Sequence, residues 1–149
     1  MREWPDFLIV GAAKSGTTSL YYYLREHPSI FMPELKEPWF FSFPGEETVG
    51  ICKKMKAKIV TSTDEYLSLF QEGQSGKLKG EASTIYLFLY QKTIQSISNL
   101  IEDYPDKKII IILRNPIARA FSHYRMFLVN GTEKESFPNA LQNEKRFPR

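Results

Sequence analysis

Along this chain, short continuous apolar runs alternate with stretches in which apolar residues recur at helical spacing. Phe7 to Val10 is such a run, set between Pro5-Asp6 and Gly11, the pattern of a strand buried on both faces. "TTSLYYYLRE", residues 17 to 26, predicts a helix closed by His27-Pro28, because the residue before proline is driven out of the helical region. Residues 33 to 50 mix proline, aromatic and charged residues, which predicts a long, partly buried loop. Ser62 followed three positions later by Glu65 is a capping box, opening a helix that runs to about Gln71 and stops at Gly73. Lys77 to Ser83 is a short strand candidate. From Leu89 to Asp103, Ile94, Ile97, Leu100 and Ile101 mark one buried helical face, ended by Pro105. "KKIIIILRNP", residues 107 to 116, is the strongest strand signal, and a helix follows from Ile117 to Val129. Glu133 to Arg149 shows no dependable periodicity and is expected to be irregular.

Strands alternating with helices imply βαβ units on a parallel sheet, whose ligands bind beyond the carboxyl ends of the strands. At 149 residues and 42% hydrophobic composition the chain holds one core and is expected to be a single domain. Its 20 basic residues nearly balance 17 acidic ones, a net charge of +3, so bulk attraction to nucleic acid or membrane is not expected and anion binding must be local. A single cysteine, Cys52, forms no intrachain disulfide, and no His/Cys cluster has metal-ligand spacing. "MREWPDF" carries no apolar targeting core, and Ile109 to Leu113 is too short to span a bilayer, so a soluble, cytoplasmic protein is the expectation. Asn130-Gly131-Thr132 matches a glycosylation acceptor, but Asn-Gly is also a helix-ending pair and is taken as that.

Between the first strand and first helix stands "VGAAKSGTTSL", residues 10 to 20. Gly11 and Gly16 keep the spacing of the phosphate loop G-x-x-x-x-G-K-[ST], yet Thr17 sits where the lysine belongs and Lys14 lies inside the loop. The N–H groups of such a turn and the helix N-terminus attract an anion, and Lys14 adds a full charge. A nucleoside-triphosphate enzyme also needs Mg²⁺ held by an acid on a neighbouring strand. Here the neighbouring strand ends in Arg114, whose planar fork matches phosphate oxygens directly. Two anion sites on one sheet edge suggest a nucleotide with phosphates at two positions.

At this point the residues resemble a known family. "KSGTTSL" is similar to the 5′-phosphosulfate loop of sulfotransferases, and "RNPIARAFSHY" to their 3′-phosphate motif, in which an arginine is followed eight residues later by a serine. "KEPWFF", residues 36 to 41, resembles the K-E-x-x-F-F segment of the heparan-modifying, carbohydrate-acting branch, and "KGEASTIYL", residues 79 to 87, the family's G-E-x-S-P-x-Y segment, with Thr84 in place of the usual proline and Ala82 where some relatives carry a catalytic lysine. The resemblance covers roughly residues 5 to 130. It implies a P-loop-containing three-layer αβα fold with a central parallel sheet. It further implies 3′-phosphoadenosine 5′-phosphosulfate (PAPS, product PAP) as donor, no metal, and a carbohydrate or small-molecule acceptor bearing a hydroxyl or amine. By the same resemblance Lys14 faces the bridging oxygen of the phosphosulfate, Ser15, Gly16, Thr17 and Thr18 hold the 5′ end, Arg114 and Ser122 hold the 3′-phosphate, and Glu37 is the base. A glutamate pKa near about 4.3 is low for that work, so burial beside Trp39 and Phe40 would have to raise it, against Lys36 or Lys14. Neither His27 nor His123 occupies the place of the histidine base used by the branch acting on phenols and steroids. Family members extend well beyond this length, so an incomplete sulfotransferase domain is expected. Two other readings stay open: a small-molecule kinase binding ATP with Mg²⁺, and a nucleotide-binding remnant without turnover.

Overall fold

In the computed structural model, residues 4–46, 59–73, 76–102 and 104–142 are described, and the chain divides into two units, one up to Leu113 and one from Arg114. Cys52, the end of the loop over 33 to 50 and the last seven residues fall outside them.

The first unit is built on four parallel strands in the order β2-β3-β1-β4, where β1 is Phe7–Gly11, β2 Ile30–Phe31, β3 Leu78–Ala82 and β4 Lys108–Ile111. Every residue of β1 is buried. Alternate side chains of a strand point to opposite faces, and here they enter two different cores. Phe7 and Ile9 join Tyr21, Met32 and Ala82. Leu8 and Val10 join an aromatic cluster of Trp4, Phe40, Phe41, Tyr66, Phe70 and Tyr86 with Ile97 and Ile101. Helix α1 (Thr17–Arg25) covers the first face through Tyr21; α2 (Thr63–Ser68), α3 (Ile85–Phe88) and α4 (Tyr90–Leu100) supply the second. The sheet is parallel, as the alternating pattern predicts, and helices flank both its faces, the three-layer αβα arrangement that the resemblance implies.

Phe40 stacks on Tyr66 at 4.3 Å between centroids, and Phe40 and Phe41 have no exposed surface. The aromatic-rich loop is thus wedged into the second core, where it forms a single 3₁₀ turn, Phe40–Ser42. Tyr21 is buried with its hydroxyl donating to Pro33 O at 2.6 Å, while Tyr22 and Tyr23 are exposed. Ser62 caps α2 as the capping box predicts, its Oγ accepting from Glu65 N.

The helix expected from Leu89 to Asp103 is present as α4, and a separate short helix, α3, precedes it, parted from it at Leu89, whose ψ of 39° is not helical. Ile97 and Ile101 are buried as their spacing predicts, but Ile94 is exposed. β4 lies at the sheet edge, so Ile109 and Ile111 are half exposed despite the run of isoleucines. Among the described residues no helix is long and apolar enough to cross a membrane.

The second unit consists of α5 (Pro116–Val129) and α6 (Phe137–Gln142). Asn115 caps α5, its Oδ1 accepting from the N–H groups of Ile117 and Ala118. Asn130-Gly131 ends it as a Schellman motif: Gly131 N donates to Leu128 O and Thr132 N to Phe127 O, both at 3.0 Å. The stretch from residue 133, expected to be irregular, contains α6, which packs Phe137 against Phe121 and Tyr124. Six residues are too few for a periodicity signal to emerge.

Candidate functional site

The loop between β1 and α1 is shaped to expose backbone N–H groups. Lys14 (φ 67°) and Gly16 (φ 99°) both lie in the left-handed region, and Gly16 occupies the N-cap of α1 without a side chain to satisfy the first-turn N–H groups. Those groups have no acceptor within the helix. Ser15 Oγ is buried and has no hydrogen-bond partner among the described residues, an orphaned donor in the wall of the loop. Thr17 is buried and Thr18 exposed, and Lys14 is half buried. The loop is tied at both ends: Ala12 N donates to Ile112 O at 2.8 Å and Ile112 N to Gly11 O at 2.7 Å, joining it to the exit of β4. Backbone donors at a helix start, an orphan hydroxyl and a lysine fit a phosphate-like anion.

Glu37 stands at the carboxyl end of the neighbouring strand. Its N–H donates to Ala82 O, the last residue of β3, and Ser83 N donates to Ile9 O of β1. The carboxylate accepts from four donors: Lys36 Nζ at 2.8 Å to Oε1, Trp39 Nε1 at 3.0 Å and Thr84 N at 2.7 Å to Oε2, and Thr84 Oγ1 at 3.2 and 3.3 Å to the two oxygens. Glu37 and Trp39 both have positive φ, 62° and 60°. Left-handed backbone at non-glycine residues costs about 1–2 kcal/mol each, which the bonds to Ala82 O and from Trp39 N to Ser83 Oγ offset. Trp39, expected as an apolar wall, therefore holds Glu37 through its indole N–H.

Behind Glu37 lies a second acid. Glu81 of β3 has no exposed surface; Oε2 accepts from Tyr66 at 3.2 Å and Oε1 has no partner among the described residues. Burial pushes its pKa up to about 7, helped by the charge of Glu37 and opposed by the hydroxyls of Ser83, Tyr86 and Tyr66. Burial likewise raises the phenols of Tyr66 and Tyr86, with the charge of Glu81 adding to it.

So Lys14, Ser15, Gly16, Thr17 and Thr18 share one sheet edge with Glu37, at the tips of adjacent strands. Arg114 and Ser122 belong to the second unit. Arg114 is exposed and directly precedes the cap of α5, and Ser122, half buried, lies two turns into it.

A model described as "Sulfotransferase family" matches residues 5–145. The chain belongs to the sulfotransferase family. A crystal structure of a sulfotransferase from Alicyclobacillus acidocaldarius superposes with a TM-score of 0.81 at 41% identity, covering 97% of this chain and 58% of that one. Among curated proteins, membrane-associated sulfotransferase kil1 of Dictyostelium discoideum is 32% identical over 80% of this chain and 22% of its own length. Human heparan sulfate glucosamine 3-O-sulfotransferase 6 is 31% identical over 85% of this chain and 32% of its own. The chain thus spans about a fifth to a third of the length of these two curated sulfotransferases.

Two features of this candidate site are not legible in the sequence. Thr84 reads in the sequence only as a departure from proline; the signal available was that any residue but proline there offers an N–H. Glu81 enters the sequence only as the glutamate of the G-E-x-S-P-x-Y segment, and its burial beside Tyr66 and Tyr86 follows from packing across three elements.

Proposed function

We propose that this chain carries the donor-binding and proton-accepting parts of a sulfotransferase that moves a sulfuryl group from PAPS to a hydroxyl or amine of a carbohydrate. The observation that carries the reading is the shared edge. The anion loop of β1 and the hydrogen-bonded carboxylate beside β3 end adjacent strands, with Ser83 N bonded to Ile9 O between them. PAPS supplies an activated sulfuryl group whose leaving group is a phosphate.

On this reading Ser15, Gly16, Thr17 and Thr18 hold the 5′ end through backbone N–H groups and hydroxyls. Lys14 meets the bridging oxygen and stabilises the negative charge that grows there as the S–O bond breaks. Glu37 takes the proton from the acceptor as its oxygen or nitrogen attacks sulfur. Arg114 and Ser122 are assigned the 3′-phosphate on their motif, a guanidinium and a hydroxyl suited to phosphate oxygens. The carbohydrate acceptor is supported by the named heparan and carbohydrate sulfotransferases among the relatives. Family membership displaces the kinase reading.

The test is transfer of labelled sulfate from PAPS to desulfated heparan oligosaccharides, with Lys14→Ala and Glu37→Gln as controls. Acceptor-dependent transfer that both substitutions abolish supports the reading. PAP binding without transfer to a broad acceptor panel would favour a nucleotide-binding remnant.

A further inference from the structure

Of the donors to the Glu37 carboxylate, Lys36 and Trp39 sit on the same loop as the glutamate, a loop whose backbone is bonded to Ala82 O and Ser83 Oγ but whose own donors share its conformation. Thr84 lies outside that loop. It follows Ser83 at the exit of β3, a strand paired to β1 in register from Phe7↔Gly80 to Ile9↔Ala82. The anion loop grows out of that same β1. Thr84 therefore relates the carboxylate to the frame that carries Lys14, which bonds within residues 36 to 39 cannot do.

The geometry is also specific in orientation. The last torsion of a glutamate side chain is broad and roughly twofold, so a single donor leaves the carboxylate free to rock. Thr84 N bonds Oε2 at 2.7 Å while Thr84 Oγ1 reaches both oxygens at 3.2 and 3.3 Å. Two donors from one residue fix that torsion as well as the position.

Resting on the reading of Glu37 as base, we propose that Thr84 is its positioning residue, aiming the carboxylate at the acceptor through one backbone and one side-chain hydrogen bond. A proline at this position, as in the segment the sequence resembles, offers neither donor. Thr84 has φ −71°, within the range of a proline ring, so proline would remove both bonds while leaving φ unchanged.

The experiment compares Thr84→Ser, Thr84→Val and Thr84→Pro with the unaltered chain and with Glu37→Gln. One arm follows the side-chain carboxyl ¹³C resonance of Glu37 at fixed pH, assigned by its loss in Glu37→Gln. It is expected to move in Thr84→Val and further in Thr84→Pro, and to stay in Thr84→Ser. The other arm measures sulfate transfer from PAPS to desulfated heparan oligosaccharides. Loss of one hydrogen bond to a charged group corresponds to about tenfold, so Thr84→Val is expected to lower kcat about tenfold and Thr84→Pro more, with KM for PAPS unchanged and Thr84→Ser within about twofold of the parent. A resonance unmoved in both Thr84→Val and Thr84→Pro overturns the proposal whatever the acceptor. So does a moved resonance with unchanged kcat. Unimpaired transfer by Glu37→Gln would instead remove the reading of Glu37 as base. Thr84→Val retains the shape of threonine and carries the test if Thr84→Pro fails to fold.

Discussion

Gly11 meets Leu87 so closely that a Cβ on the glycine would lie 2.9 Å from Leu87 Cβ. The contact seats α3 against the start of the anion loop, and Gly11 holds φ at +151°, a value that side chains rarely adopt. Gly11→Ala is therefore expected to cost about 2 kcal/mol or more, from overpacking and backbone strain together. Urea unfolding of Gly11→Ala, alone and with Leu87→Ala, checks it: removing the leucine should recover part of the loss. No recovery would mean that the contact is not the cause.

Glu37→Gln keeps the size of the side chain and one of its two accepting oxygens but accepts no proton. The expected result is a loss of transfer of about 10²–10⁴-fold with PAP binding unchanged, measured side by side on one preparation. Equal weakening of PAP binding would place Glu37 in the nucleotide pocket instead.

Glu81 makes folding pH-dependent in an identifiable window. Its folded value, about 7, lies above the ordinary 4.5, so its burial costs nothing while it is protonated in both states. Stability from this group is fully present below about pH 4.5 and is lost as pH rises to about 7, a change of about 3 kcal/mol. The groups facing it are Tyr66 from α2, Tyr86 from α3, and Ser83 and Glu37. Urea unfolding at pH 5 and pH 8 should show a larger fall for the unaltered chain than for Glu81→Gln. Parallel pH dependence in the two would contradict the account.

Arg114→Ala and Ser122→Ala address the second anion. If they hold a 3′-phosphate, each weakens binding of adenosine 3′,5′-bisphosphate while leaving adenosine 5′-phosphosulfate, which lacks that group, unaffected. Arg114→Ala is expected to cost about 1.5–3 kcal/mol, roughly ten- to hundredfold in Kd. Equal losses for both nucleotides would refute the assignment.

What could be read from the sequence was local. The run Phe7 to Val10 followed by spaced glycines predicts a strand, an anion loop and a helix because each depends on neighbours in the chain. Asn130-Gly131 ends α5 for the same reason. The strand Ile30–Phe31 is too short to show a period, and the exposed Ile94 and half-exposed Ile109 follow from their places on α4 and on the edge strand. The surroundings of Glu37 were hidden for a different cause: they join residues 36 to 39 to residues 82 to 84 through positive φ angles that neither segment advertises.

On the proposed function, Lys14 and its loop bind an adenosine nucleotide phosphorylated at both ends without a metal. Calorimetric titration with adenosine 3′,5′-bisphosphate, ADP and ATP, each with and without Mg²⁺, tests it most directly. The bisphosphate is expected to bind more tightly than either other nucleotide, with Mg²⁺ making no difference and Lys14→Ala weakening it. Tight binding confined to ATP with Mg²⁺, or bisphosphate binding indifferent to Lys14, would contradict it.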